Sequence, residues 1–397
     1  MEKPRVRWIE AHPVIHDGQE LILLRDTEGF IENALMVSRE VAFMISLMDG
    51  TRTLRDIQAA FMETVGELVD IEKIRELVNA MDSHLLLFSE NFKNYYMKLR
   101  EEYEKSPVRK AFLAGKSYAA NRMDLLAFLD EMLGNEKDGK IDGEITGIVA
   151  PHIDYARGID VYKKTYPYLR NAGKPLIVIF GTCHHPTERI LSISCKDLET
   201  PLEIIPHARE LDRLILDNKV LQSYVDEWPH RNEHSIELQL PLIQFMVQHD
   251  FEVLSILTGS MHEYVAGGKS IDAGEIDEIV THLKQVLKDY GKPFIILSGA
   301  DLAHIGAQFG DSLPLDSAIL ARSRACDEIL LESVKKVDAK GFFEAIREEG
   351  DARRICGLTP IFFQLKLLEE SSCNIVGYDQ WTDGKSSVSF AGGIFYK

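Results

Sequence analysis

Imidazole, thiol and carboxylate groups gather at a few points of this chain, most of them just past an apolar run. GIVA ends in Pro151-His152-Ile153-Asp154-Tyr155, LIVIFG in Thr182-Cys183-His184-His185, and FIILSGA in Asp301-Leu302-Ala303-His304. Asn232-Glu233-His234-Ser235-Ile236-Glu237 opens a helical segment, and Arg353-Arg354-Ile355-Cys356-Gly357 stands at the start of another. Imidazole nitrogen, thiolate sulfur and carboxylate oxygen are ligands for first-row transition metals. His152, His184 and Cys356 supply three such donors, with Asp301 as a fourth or as a supporting carboxylate. Cys356 ahead of a helix N-terminus is expected to have its thiolate favoured by the dipole. His304 and His234 suit proton transfer or the anchoring of a bound anion, because imidazole titrates near neutrality. Plainer readings stand beside these. A histidine at a strand end is commonly a hydrogen-bonded structural residue, a single buried cysteine a small core hydrophobe, and Glu233 and Glu237 are first-turn helix acids. His185 is not separable from His184 on chemistry. Cys195, Cys326 and Cys373 lie among apolar or helical residues and receive no role. Convergence tips the balance, because several polar clusters at one rim are poorly explained by packing.

The clusters meet only if the runs ITGIVAP, PLIVIFGT, FEVLSILTG and PFIILSGAD are strands of one sheet, running the same way. Each run is short and apolar throughout, as in strands covered on both faces, and helical segments fall between them at 208–218, 234–249, 275–289, 313–335 and 361–370. The expected fold class is therefore α/β, with a central mixed or parallel sheet flanked by helices. The final segment 386–397 alternates as an edge or antiparallel strand. Ahead of this domain the pattern differs. ELILLR (20–25) is strand-like, helices are expected over 38–50, 53–66 and 70–83 with Ser38, Thr53 and Asp70 as N-caps and Gly50 as a stop, and 84–90 returns to a strand. That order gives a small α+β, winged-helix-like docking module over 1–90. Residues 91–106 form a charged helical linker, Pro107 marks a boundary, and 107–397 is the α/β domain.

Composition narrows the partners. The chain has 397 residues and a formal net charge of −18, which disfavours nucleic acid and anionic membranes as general partners. No apolar run approaches the roughly 20 residues of a spanning helix. The N-terminus lacks the apolar core of a signal peptide. Five cysteines do not read as a disulfide framework, so a cytoplasmic setting is expected.

The order APHIDY, FGTCHH, TPLE, NEHSIELQLP, LSGADLAH, RICG and SSVSFAGG closely resembles the Memo-like family, whose bacterial and archaeal members are called AmmeMemoRadiSam system protein B. The resemblance begins at RKAFLAGKSY (109–118) and runs to the C-terminus, roughly three quarters of the chain. It implies the fold of the catalytic subunit of class III extradiol dioxygenases, which hold non-haem iron(II) with two His and one Glu. It also implies a metal site at the histidine of the PH motif, the first histidine of the HH pair and the cysteine of the ICG motif, which here are His152, His184 and Cys356. Asp301 and His304 match the family's Asp and His, the latter an acid/base beside the metal in the dioxygenases. A cysteine in place of glutamate makes copper or zinc as suitable as iron. The implied function is a redox or dioxygenase-like activity on a small molecule. The alternative is a non-catalytic scaffold that binds a peptide or metabolite, with radical-SAM and AMMECR-type proteins as the implied partners. The chain departs from the family's pattern at Leu113, where histidine is usual, and at Leu358-Thr359, where Arg-His is common. At Asp154 a small residue is usual, and the carboxylate is expected to lie near the metal.

Overall fold

The computed structural model describes residues 1–26, 28–31, 34–185, 187–247, 249–267, 269–271 and 274–397. The chain divides into two compact units, Met1–Lys105 and Ser106–Lys397.

In the first unit β1 (Glu10–His16), β2 (Gln19–Arg25) and β3 (Leu35–Val37) form an antiparallel sheet in that order. Three helices follow, Arg39–Ser46, Leu54–Val65 and Ile71–Ser83. Their starts are fixed by the expected side chains. Ser38 accepts from Val41 N, Asp70 accepts from Glu72 N, and Thr53 forms a reciprocal capping box with Asp56. The second helix stops at Gly66, whose φ of +79° suits a residue without a Cβ. Met48, Ile57, Phe61, Ile74, Val78 and Leu87 make the core. Two features differ from the expected order. The sheet is complete before the helices begin, and the return at 84–90 makes only an isolated bridge, Val6 to Leu87. The charged segment is a helix, Glu90–Lys105, that packs within this unit. Its Phe92 meets Phe30 edge-on at 5.2 Å, and the buried Arg7 guanidinium lies 4.4 Å from the Phe92 ring centroid. Arg7 is neutralised by Asp26 at 3.0 Å and Glu28 at 3.1 Å.

The second unit is built on strands β4 (Val108–Arg109), β5 (Ile145–Ala150), β6 (Leu176–Thr182), β7 (Leu191–Ser194), β8 (Asp197–Glu199), β9 (Ile204–Ile205), β10 (Glu252–Thr258), β11 (Phe294–Gly299), β12 (Asp301–Gly306), β13 (Ser372–Thr382) and β14 (Ser386–Tyr396). The main sheet has the order β12-β14-β5-β11-β6-β10-β7, with β13 also on β14, while β4, β8 and β9 make a small separate sheet. The pairs β5–β11, β11–β6 and β6–β10 are parallel. The pairs that β7, β12 and β13 make, and that of β14 with β5, are antiparallel, so the sheet is mixed.

Strand residues alternate between two cores. Val178, Phe180, Ile256 and Ile296 pack with the helices Glu275–Tyr290 and Leu358–Leu367 on one face. Ile177, Ile179, Ile148 and Leu297 pack on the other with the helix Leu240–Met246 and with Tyr155, Tyr162 and Tyr166. Both faces are covered, which is why these strands read as unbroken apolar runs. The segment expected as one helix over 234–249 is two, His234–Glu237 and Leu240–Met246, with Pro241 unable to donate a backbone hydrogen bond across the join. The last strand, β14, is antiparallel and interior rather than an edge. The helix Tyr155–Thr165 was not foreseen, and Asp154 caps it by accepting from Ala156 N at 3.0 Å. No helix among the described residues is long and apolar enough to cross a membrane.

Candidate metal centre

Three parallel strands deliver the first side chains. β5 runs into Pro151-His152, β6 into Cys183-His184 and β11 into Ala300-Asp301, so all three arrive at one rim of the sheet. The carboxyl ends of strands in an open α/β sheet are where ligands bind. His234 comes from the short helix His234–Glu237, pressed onto the same strand ends. Ser235 Oγ donates to Thr182 O at 2.8 Å. This approach needs glycine below it: a Cβ on Gly299 would lie 2.4 Å from the Ser235 carbonyl oxygen. Cys356 is tied in by its neighbours. Gly357 N donates to Asp301 O at 2.9 Å, and Thr182 Oγ1 donates to Cys356 O at 2.8 Å.

His152, His184 and His234 each offer a nitrogen, and the three nitrogens lie within 4.8 Å of one another. The His184 and His234 rings stack at 4.4 Å between centroids, with the His152 ring edge-on to both at 5.1 and 5.2 Å. Cys356 Sγ is 3.3 Å from His152 Nε2, and Asp301 Oδ2 is 3.7 Å from the same nitrogen. His304 lies on β12 with Nδ1 3.1 Å from Leu302 O and its ring edge-on to Phe309. Of the adjacent pair, His184 joins the converging nitrogens and His185 does not.

The outer ring nitrogens are already engaged. His152 Nδ1 lies 2.8 Å from Gly299 O, while Nδ1 of His184 and of His234 lie 2.9 and 3.0 Å from Glu233 Oε1. A histidine held this way at Nδ1 presents Nε2 to a metal, and the acceptor behind it sets its orientation and basicity. In tetrahedral coordination the usual zinc–nitrogen and zinc–sulfur bond lengths place N and S about 3.5 Å apart. The 3.3 Å between Cys356 Sγ and His152 Nε2 is close to that edge. Cys356 and His152 therefore fit as neighbouring ligands of one ion, although the three nitrogens that converge within 4.8 Å are those of His152, His184 and His234 and Cys356 is outside that group.

Burial dominates the proton equilibria of the free side chains. It holds His152 neutral, with the charges of His184 and His234 adding to the effect. Burial brings His304 down to about 4 and pushes Asp301 up to about 7. His234 moves the other way: Glu233 raises its proton affinity against the pull of burial. Cys356 departs from expectation. Burial and the nearby Asp301 carboxylate push its thiol well up, so the helix dipole does not favour the thiolate in the free side chain. Asp154 also departs. It is exposed and caps a helix, so its carboxylate is not among the converging donors.

Glu233 caps the helix, as the reading as a helix acid expects, and also holds both imidazole rings. Beyond the two rings, its carboxylate accepts from the backbone nitrogens of His184 at 2.7 Å and His234 at 2.8 Å. One turn later, Glu237 anchors the opening segment. It pairs with Arg109 at 2.5 Å and accepts from Leu113 N at 2.7 Å and Tyr118 Oη at 2.5 Å. Arg109 in turn donates to Glu233 O at 2.9 Å. The signal was two glutamates four residues apart around His-Ser, which places both on one helical face.

The profile of the Memo-like protein family matches residues 109–394. A MEMO1 family protein of Aquifex aeolicus is 29% identical over 406 residues, an alignment covering 99% of this chain and 100% of that one. A MEMO1 family protein of Methanosarcina barkeri is 30% identical over 217 residues, 55% of this chain and 71% of its own length. A third, from Thermus thermophilus, is 25% identical over 83% of this chain and 94% of its own. Among solved structures, an uncharacterized protein of Escherichia coli K12 overlaps 63% of this chain and 99% of its own at 12% identity, with a TM-score of 0.33. The family profile takes in the strands, the short helix and the ICG turn that together build the rim, and the chain belongs to the Memo-like family.

Proposed function

We propose that this chain binds a transition metal through His152, His184 and Cys356 and uses it in a redox or dioxygenase-like reaction on a small molecule. The observation that carries the reading is the meeting of the His152 and His184 nitrogens within 4.8 Å, with the Cys356 sulfur 3.3 Å from His152 Nε2. Zinc, copper and iron all suit such donors, and when bound the ion supplies a Lewis-acidic or redox-active centre. Asp301 supports His152 by accepting from its backbone nitrogen at 2.9 Å. His184 and His234 side chains remain 34% and 38% exposed, so a small molecule reaches the rim from their side. His304, neutral at physiological pH, suits accepting a proton at Nε2. His234, kept charged more readily by Glu233, suits donating one or anchoring an anionic group.

The test is elemental analysis of protein purified without oxygen. We expect His152→Ala to lower the transition-metal content by one ion per chain relative to the wild type while the fold is retained by circular dichroism. Wild-type protein that carries no metal and takes none up would overturn the reading.

A further inference from the structure

A second set of side chains of metal-ligand type stands away from the rim. Cys195 follows β7, and His207 and Asp212 flank the start of the helix Arg209–Asp217. Their sulfur, nitrogen and oxygen donors lie within 4.8 Å of one another. Strand register puts this cluster at the opposite end of the sheet. The antiparallel β7 pairs Ser194 with Ser255, and His207 bridges Val253 near the start of β10. The metal centre described above lies beyond the far end of β10, where Thr258 pairs with Thr182.

The cluster has the features of a built site. The His207 side chain is 0% exposed and that of Asp212 is 13% exposed. Nε2 of His207 faces the Asp212 carboxylate, while Nδ1, fully buried, has no hydrogen-bond partner. Backbones are fixed on both sides. Asp197 Oδ1 accepts from His207 N at 2.9 Å, and Glu227 Oε1 accepts from Cys195 N at 2.6 Å. Glu227 Oε2 also accepts from Ser194 Oγ at 2.6 Å. The donors are thus presented by a frame of carboxylate-anchored turns, with little freedom left to lose on binding.

We infer that Cys195, His207 and Asp212 bind one divalent cation of the zinc class, tying the end of β7 to the helix Arg209–Asp217. Thiolate, imidazole and carboxylate are the three ligand types zinc takes, and water fills the fourth position. The site is independent of the chemistry at the rim and stands whether or not that chemistry is confirmed.

Cobalt(II) reports thiolate ligation by its charge-transfer absorption. To silence the rim cysteine, the full chain carrying Cys356→Ala is stripped of metal and titrated with cobalt. We expect a thiolate–cobalt band that disappears when Cys195→Ser is added, and a cobalt affinity weakened about 10–100-fold by Asp212→Asn. Absence of the band in Cys356→Ala, or its survival in the double variant, overturns the site. A second measurement needs no substitution. In metal-free wild-type protein, alkylation of each cysteine is followed by peptide mass spectrometry with and without zinc. Protection of Cys195, reversed by a chelator and not seen at Cys326, supports the site, and an unchanged Cys195 rate counts against it.

Discussion

Glu233 shows what a single residue contributes at the rim. One buried carboxylate faces two imidazole rings and three backbone nitrogens, and its interactions with His184 and His234 keep it well below the ordinary carboxylate range despite burial. Glu233→Gln preserves the shape but replaces one accepting oxygen with an NH2 group, which cannot accept from an imidazole N–H. Metal affinity should fall about 10–100-fold, measured by competition with a chromophoric chelator. Unchanged affinity would show that the rings are oriented by packing alone. The place of His152 and His184 at the rim was legible from sequence because a polar group directly after an apolar run has few places to go but the sheet rim, whereas Cys356 follows Arg353-Arg354-Ile355 and carries no such signal. Glu233 was not legible, since an acid at a helix start caps the helix whether or not it also holds a ligand. Asp154 was misplaced for a related reason: PHIDY reads as one polar cluster, but Asp154 is the cap of the helix Tyr155–Thr165 and its carboxylate turns to the backbone.

Among elements, the close seat of the helix His234–Glu237 on the strand ends decides where His234 lies. Gly299 makes that seat possible, because a methyl group there would press on the Ser235 carbonyl at 2.4 Å and on Gln239 Nε2 at 2.8 Å. Gly299→Ala should lift the helix, costing about 1–3 kcal/mol in chemical denaturation as overpacking does, and should weaken metal binding with it. A loss of stability with metal affinity intact would detach this helix from the centre. The parallel strands and most helices were legible because both-face burial leaves unbroken apolar runs and the caps at Ser38, Thr53 and Asp70 mark starts. The place of β14 was not, since its SSVSFAGG alternation suits an edge and an interior antiparallel strand alike. Gly392 has no room for a Cβ against Thr165, so the helix Tyr155–Thr165 packs closely over β14.

For the whole molecule, the division falls after Lys105, and each unit has its own apolar core. The charged helix Glu90–Lys105 belongs to the first unit because Phe92 is buried there against Phe30 and Arg7, a fact that its many charges conceal in the sequence. The point of division therefore matters in any truncation. Removal of residues 1–90 would leave the Phe92 face without its partners and expose an apolar stripe. Removal of residues 1–105 cuts between cores and leaves every rim side chain in place, since His152, His184, His234, Asp301, His304 and Cys356 and the groups that hold them all lie in Ser106–Lys397. A chain of residues 106–397 should thus fold cooperatively and retain the metal content of the full protein, measured by elemental analysis beside thermal unfolding. The 91–397 chain should express less soluble protein, because its leading helix carries an uncovered aromatic surface. A folded 106–397 chain that binds no metal would mean that the first unit takes part in the centre, and the division of labour drawn here would not hold.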